Sequence, residues 1–389
     1  MDERVYNPLA LGAPSVGLVF YNVDSKGGME RQASQLAPRL ARLGHRVVCV
    51  STITPRRYGT NETRLEGVEV HRVPVTRTPF FEEAARALFA RSGGVDVIYA
   101  VHYRCGLHAA RIARATATPV VCKLACSGEH GDVRVMGSAR LAEMRTVDRY
   151  VCMTEALRDE AIAHGLEAGK IVSIPNGVDL AAFAGERREE PGRVLFVGRL
   201  NRQKRVDVLL RAIANVKGAR LDVAGEGEEE PSLRALAREL AVEDRVAFLG
   251  PRSDVADLQA RAQVFVLPSE SEGLPNALLE ALAAGTPSVA TDIPGNRDVA
   301  THEKEALLVP AGDAPALAGA ISRLLEDRGL ASSLGQAGRE RARSFDFDEV
   351  ARAYSRLFTE LARPATWRLG IKGRAVLAAR AAARVLCAE

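Results

Sequence analysis

Two glutamates eight residues apart lie on either side of a predicted helix start in the segment LPSESEGLPNALLEALAAGTPS. Glu272 precedes a Gly-Leu-Pro-Asn turn, and Glu280 lies about one turn inside the following helix, whose first turn suits Pro275. The amides at such a start can donate to a phosphate. A carboxylate at 280 could accept both hydroxyls of a ribose, and one at 272 could hold sugar hydroxyls. The alternative is that both glutamates are solvated.

An arginine and a lysine follow a predicted strand 70 residues earlier, in RVLFVGRLNRQKR. Arg199 and Lys204 are five residues apart, so they could hold a diphosphate together. Arginine would bind in bidentate fashion and lysine as a point charge. A basic loop that only caps the strand is the alternative.

A third loop near the N-terminus reads YNVDSKGGMERQ, in which Gly27 and Gly28 separate a predicted strand from a predicted helix. Glycines allow the backbone to approach a ligand closely, and the helix start offers amides to an anion. The G-x-G-x-x-G pattern of dinucleotide-binding proteins is absent here. A plain tight turn explains the glycines equally well.

These loops follow strands in a chain where short apolar runs alternate with helical patterns, which predicts parallel sheets covered by helices. The predicted strands are 16–20, 46–51, 68–73, 95–101, 119–124, 149–153, 194–197, 221–224, 246–249, 264–268 and 288–291. The predicted helices are 29–43, 106–117, 206–215, 231–240, 275–284, 315–326 and 347–361.

The charged stretch GERREEPG interrupts this pattern at 185–192 and reads as a linker. We therefore expect an α/β protein of two doubly wound, Rossmann-like domains, residues 1–182 and 183–362, facing a cleft. Ligands bind at the carboxyl ends of strands in such sheets, so the cleft is the expected site.

The composition, with 47% hydrophobic and 26% charged residues, excludes bulk disorder. Aromatic residues make up 5%, too few for the stacking platforms that single-stranded nucleic acid needs. Residues 1–175 hold 23 Lys/Arg against 18 Asp/Glu, residues 176–362 hold 24 against 30, and residues 363–389 hold 6 against 1. A basic first half and tail favour an anionic surface or acceptor there, or simply a solvated basic surface.

The six cysteines show neither a Cys-x-x-Cys pair nor metal-finger spacing, and most of them lie in apolar stretches that predict small buried hydrophobes. The only Asp-x-Asp, Asp346 to Asp348, is expected to cap the last helix rather than to bind a cation. No metal or other cofactor is therefore expected. Without a signal peptide or a membrane-length apolar run, we expect the cytosol, with the inner membrane face as an alternative.

The Glu-x7-Glu segment resembles the signature of the retaining, two-domain (GT-B type) glycosyltransferases of family four, also called glycosyltransferase group 1. The segments GGMERQ, IPNGVD, FVGRLNRQKRVDVLLRA, LDVAGEGEE, ATDIPGNRDVA and ALLVPAGD agree with that family in the same order along the chain. The resemblance extends from Val16 to about Leu361 and implies transfer of a sugar from a nucleotide diphosphate sugar with retention at the anomeric carbon. It makes UDP the commonest donor nucleotide and GDP the alternative.

The resemblance also implies a role for each matching residue. Arg199 and Lys204 would hold the diphosphate, Glu272 the transferred sugar and Glu280 the ribose, while the two glycines would approach the phosphates from the first domain. The complete expected donor site consists of Gly27, Gly28, Arg199, Lys204, Glu272, Gly273, Leu274, Pro275, Asn276 and Glu280.

One position departs from the family. Many relatives have a sugar-contacting histidine after the strand that corresponds to 119–124, where this chain reads VVCKLACSGEHGD. His102, which follows the preceding strand, is one substitute and is predicted to be catalytic with Arg199, Lys204 and Glu272. The other candidates for acceptor or sugar binding are Ser127, Glu129, His130 and Asp132. Surface or buried polar groups with no ligand are the alternative.

The tail 363–389 carries Trp367 among spaced basic residues. It is expected to pack back on the first domain or to rest on an anionic membrane. The second arrangement would suit a lipid-linked acceptor, as in polysaccharide or glycoconjugate synthesis.

The predicted function is therefore that of a glycosyltransferase. The alternatives are a catalytically silent sugar-nucleotide-binding scaffold and an epimerase or phosphorylase on the same fold. A nicotinamide dehydrogenase is disfavoured by the absent glycine fingerprint.

Overall fold

The computed structural model describes residues 12–20, 28–53, 65–74, 78–125 and 132–362. The chain divides into two compact units, one of Met1–Ile174 with Asp348–Glu389 and one of Pro175–Phe347. The sequence predicted the change of domain at 182/183. The structure instead places residues 175–182 in the second unit and returns the chain to the first unit at Asp348.

The first unit contains a seven-stranded parallel sheet. Its strands are β1 (Val16–Phe20), β2 (Val47–Ile53), β3 (Val68–Pro74), β4 (Val97–Ala100), β5 (Val120–Leu124), β6 (Arg149–Cys152) and β7 (Ile171–Ser173). The helices between them are α1 (Gly28–Arg42), α2 (Thr78–Arg91), α3 (Tyr103–Arg114), α4 (Asp132–Met144) and α5 (Glu155–Ala163). The strand order β3-β2-β1-β4-β5-β6-β7 changes direction between β1 and β4. Every residue of β1, β4 and β5 is buried, as expected for a sheet covered on both faces.

The second unit repeats this plan with six parallel strands. They are β8 (Arg193–Val197), β9 (Arg220–Ala224), β10 (Val246–Gly250), β11 (Val264–Leu267), β12 (Ser288–Thr291) and β13 (Leu307–Val309). The helices are α6 (Val206–Ala214), α7 (Glu230–Glu239), α8 (Val255–Arg261), α9 (Asn276–Ala284), α10 (Pro294–Arg297), α11 (Ala314–Glu326) and α12 (Arg328–Ala342). In the order β10-β9-β8-β11-β12-β13 the direction changes between β8 and β11, so the loops after these two strands are neighbours.

The last helix, α13 (Phe347–Leu361), packs on the first unit from Asp348 onward. The Tyr354 hydroxyl lies 3.1 Å from that of Tyr99 on β4. Asp348 accepts a hydrogen bond of 2.9 Å from Arg39 Nε, so this residue of the predicted Asp-x-Asp pair takes part in an ion pair within the unit.

No helix in the described ranges is both long enough and apolar enough to cross a membrane. Within the same part of the chain, no three His, Cys, Asp or Glu side chains are grouped so that they could hold a metal ion.

Candidate functional site

The loops after β8 and β11 meet in an ion pair within the second unit. Lys204 Nζ lies 2.5 Å from Glu272 Oε1, and the two side chains are 20% and 8% exposed. The sequence predicted both residues for one site. The structure brings them into direct contact because β8 and β11 are adjacent and parallel.

Two further contacts join these loops. Gln203 Nε2 donates to the carbonyl of Ser271 at 2.7 Å, and the amide of Glu270 donates to the carbonyl of Gln203 at 2.9 Å. The Ser269 hydroxyl donates to Glu272 Oε1 at 2.7 Å. One carboxylate oxygen of Glu272 therefore receives both an ammonium and a hydroxyl donor.

The backbone around Lys204 is fixed by a short 3-10 turn, Arg202–Lys204. The Asn201 side chain accepts from the Lys204 amide at 3.2 Å. Arg205 then adopts φ 48°, a left-handed conformation that costs a non-glycine residue about 1–2 kcal/mol. Its guanidinium donates to Asp207 at 3.1 and 3.2 Å, which helps to hold the turn that presents Lys204.

Arg199 lies on a loop that packs against the loop after β9. The amide of Gly198 donates to the Ala224 carbonyl at 3.0 Å. A Cβ at Gly225 would lie 1.8 Å from the Gly198 oxygen, and one at Gly227 would lie 2.1 Å from the Leu200 oxygen. The glycines of the AGEGEE segment therefore allow the two loops to meet backbone to backbone. No side-chain hydrogen bond or ion pair joins the exposed Arg199 to any residue that the structure describes, so its charge can bind an anion.

The helix α9 begins without a side-chain cap at Pro275. The buried Asn176 holds this start: its Nδ2 donates to Asn276 Oδ1 at 2.8 Å and to the Leu274 carbonyl at 3.3 Å. Asn176 belongs to the IPNGVD segment, and no role for this residue was predicted from the sequence. The signal that could have indicated a role is the Asn-Gly pair, which lies outside every predicted helix and strand.

Glu280 lies in the second turn of α9 and is 7% exposed. Glu272 is nearly as buried, so the alternative of two solvated glutamates is wrong. The loop that carries Glu272 rests on α10: a Cβ at Gly295 would lie 2.4 Å from the Gly273 oxygen and 2.5 Å from the Glu272 oxygen. The ATDIPGNRDVA segment thus supports the Glu272 loop.

In the first unit, two predicted residues lie close together after β4 and β5. His102 Nε2 is 3.7 Å from Asp132 Oδ1, and their side chains are 16% and 3% exposed. Asp132 Oδ2 accepts from the Ala125 amide at 2.6 Å and so ties the end of β5 to α4. His102 caps α3, with Nδ1 accepting from the Arg104 amide at 3.3 Å.

Burial lowers the pKa of His102 to about 4, and Arg104 acts in the same direction. At neutral pH the imidazole is therefore uncharged. With Nδ1 as an acceptor, Nε2 carries the proton.

The remaining predicted residues lie at the edge of the described ranges or outside them. Gly28 is the first residue of α1. Gly27, Ser127, Glu129, His130 and the tail 363–389 lie outside the described residues.

Two family models match the chain. That of the glycosyl transferases group 1 matches residues 179–341, and that of glycosyltransferase family 4 matches residues 26–182. A D-inositol 3-phosphate glycosyltransferase of Kribbella flavida is 30% identical over 380 residues, which cover 84% of this chain and 88% of that protein. The chain belongs to the glycosyltransferase group 1 family. This confirms the coarser part of the sequence prediction, a glycosyltransferase with group 1 and family 4 domains; retention stays a prediction.

Other relatives match over a smaller part of their length. An exopolysaccharide phosphotransferase of Streptomyces coelicolor is 34% identical over 234 residues, 58% of this chain and 24% of that protein. Across four such relatives the matched region spans 24–66% of their length.

The solved structures show the fold. Anabaena HepE in complex with UDP and glucose has a TM-score of 0.77 at 20% identity, with 89% of this chain and 100% of that chain covered. Two Rossmann-like α/β domains, as in GT-B glycosyltransferases, were predicted from the sequence, and this prediction is confirmed.

Proposed function

We propose that this member of the glycosyltransferase group 1 family transfers a hexose-type sugar, with retention, from a UDP-sugar to a saccharide or lipid-linked acceptor. The observation that carries the proposal is the Lys204–Glu272 pair at the point where the strand order changes direction, with the exposed Arg199 on the adjoining loop. Family membership supports an enzyme of the transferase class.

Lys204 and Arg199 would stabilise the leaving diphosphate. Breaking the sugar–phosphate bond builds negative charge on the phosphate oxygens, and fixed cations lower the energy of that state more than that of the ground state. The start of α9 adds backbone amides that favour an anion. Two cations and a helix start supply this stabilisation without a metal, so we propose that none is required.

The glutamates would hold the two ends of the donor. Glu272 is oriented through Oε1 by Lys204 and Ser269, which leaves Oε2 for a sugar hydroxyl. Glu280, buried in the second turn of α9, would accept the ribose hydroxyls. Carboxylates suit both tasks because each accepts several hydrogen bonds from hydroxyls.

The first unit would bind the acceptor. His102 is uncharged at neutral pH and lies beside the buried carboxyl group of Asp132, so the pair would orient a hydroxyl or the sugar rather than a phosphate. A lipid-linked acceptor would bring the chain to the cytosolic face of a membrane, where the basic tail 363–389 would contact anionic lipid.

The similar proteins support two different donor nucleotides. HepE is described in complex with UDP-glucose, whereas a Mycobacterium tuberculosis relative is named a GDP-mannose-dependent alpha-mannosyltransferase. Thermal unfolding against UDP-sugars, GDP-sugars, UDP, GDP and NAD distinguishes these donors, because a ligand of the folded state raises the melting temperature.

We expect a UDP-sugar to raise the melting temperature and Glu280→Ala to abolish that rise. A rise in melting temperature with GDP-sugars alone would mean that the donor is a GDP-sugar and not a UDP-sugar. A response to NAD and to no sugar nucleotide would contradict the proposal.

A further inference from the structure

We propose that Ser269 is a positioning residue for the sugar-binding carboxylate, a role that rests on the proposed function. Its hydroxyl donates to Glu272 Oε1 at 2.7 Å, the same oxygen that Lys204 Nζ approaches at 2.5 Å. Ser269 is completely buried, so it acts on the substrate through Glu272 and touches no ligand itself.

Residues of β12 and α10 fix the backbone of Ser269. The Thr291 hydroxyl donates to the Ser269 carbonyl at 2.6 Å. Asn296 Nδ2 in turn donates to the Thr291 carbonyl at 2.8 Å and lies 3.1 Å from its hydroxyl oxygen. Thr291 and Asn296 are both buried. A chain of hydrogen bonds therefore runs from α10 to the carboxylate.

Because of the Ser269 hydrogen bond, Lys204 is not alone in holding Glu272. In the proposed reaction Lys204 must serve the diphosphate, yet it is also an ion-pair partner of Glu272. A long lysine side chain that turns toward a phosphate would release the carboxylate. The short, buried serine keeps one oxygen of Glu272 in place, so that the other oxygen stays directed to the sugar while Lys204 is shared.

Ser269→Ala should therefore weaken recognition of the sugar and spare recognition of the nucleotide. We expect the Kd for a UDP-sugar to rise about 10- to 100-fold, the range for loss of a hydrogen bond to a charged group. The Kd for UDP should stay within about twofold of wild type. With the same UDP-sugar, we also expect kcat for donor hydrolysis to fall. A variant that only bound the donor more weakly would show a higher KM and an unchanged kcat.

Ser288→Ala is the matched control. Ser288 is also a completely buried serine of the second unit, but its hydroxyl donates at 2.8 Å to the Thr286 carbonyl, at the opposite end of β12 from Thr291. It should bind UDP and the UDP-sugar as wild type does. A loss of sugar binding common to both variants would indicate a general effect of emptied core volume and would overturn the proposal.

A double-mutant cycle tests whether Ser269 acts through Glu272. In a Glu272→Ala background, Ser269→Ala should change the Kd of the UDP-sugar by less than about twofold, because the carboxylate that accepts the hydrogen bond is gone. An undiminished effect in that background, or wild-type Kd and kcat in Ser269→Ala itself, would overturn the role of Ser269 alone. A wild-type chain that neither binds nor hydrolyses any sugar nucleotide would instead contradict the proposed function and this role with it.

Discussion

Replacing Gly295 by alanine should disable the site with a modest loss of stability. The added Cβ would lie 2.4 Å from the Gly273 oxygen and 2.5 Å from the Glu272 oxygen, whereas real Cβ atoms essentially never come closer than 3.0 Å to another heavy atom. The two backbones must therefore separate by at least 0.6 Å. Both neighbours are backbone atoms, so no side-chain rotation relieves the clash. Overpacking of this kind costs about 1–3 kcal/mol.

The displaced segment carries Glu272. A shift approaching ~1 Å in a positioning group costs up to about 100-fold in rate, so we expect donor hydrolysis by Gly295→Ala to fall about 10- to 100-fold. Gly319→Ala is the control, because a Cβ there meets nothing within 4 Å on the exposed face of α11. That variant should gain up to about 1 kcal/mol of stability and keep its rate. A Gly295→Ala protein that folds and turns over at the wild-type rate would refute the reasoning.

Three further predictions address other parts of the chain. Asn176→Ala removes two hydrogen bonds from the start of α9, so calorimetry should show a weaker Kd for UDP and a loss of about 1–3 kcal/mol in stability; an unchanged Kd would contradict this. NMR titration should give His102 a pKa near 4, and because that value lies below the 6.5 of an unfolded histidine, stability should fall as the pH drops from 6.5 towards 4. Between pH 7 and pH 5 the loss in urea unfolding should be about 2 kcal/mol larger in wild type than in His102→Asn; equal losses would contradict it. Burial lowers the pKa of Lys123 on β5 to about 7, so Lys123→Met should raise stability at pH 7 by about 1–4 kcal/mol, and this advantage over the wild type should shrink as the pH rises from 7 to 10.5. A Lys123→Met protein with a lower melting temperature at pH 7 would show that the ammonium is needed.

The strands could be predicted where apolar runs are continuous and bounded. β1 and β12 were predicted with the bounds that the structure shows. The edge strands β7 and β13 have three residues each, too few to show a pattern. Helix α4 was missed because Gly137 interrupts it at φ 68° and breaks the helical period.

The start of α3 shows how a cap changes a boundary. The sequence predicted the helix from 106, whereas it begins at Tyr103 because the side chain of His102 caps it. Neither the cap nor the approach of His102 to Asp132 could be read from one sequence, since the second depends on the pairing of β4 with β5.

The types of the site residues could be predicted, but their contacts could not. Arg199, Lys204 and Glu272 were found from spacing and resemblance. The ion pair joins residues 68 positions apart, and it requires β8 and β11 to be neighbours, a fact of topology. Ser269 was passed over because a serine three residues before a glutamate has many uses, and only its burial and its 2.7 Å hydrogen bond show which one applies.

Release of UDP from UDP-sugars by the wild type and by Lys204→Ala tests the central claim most directly. The Lys204 ammonium is the proposed stabiliser of the leaving diphosphate, so we expect release by the wild type to depend on the sugar offered. Lys204→Ala should release UDP at least about 100-fold more slowly, the scale for loss of one fixed donor at a developing charge, while remaining folded. Equal rates in the two proteins, or no release from any sugar nucleotide by the wild type, would contradict the account.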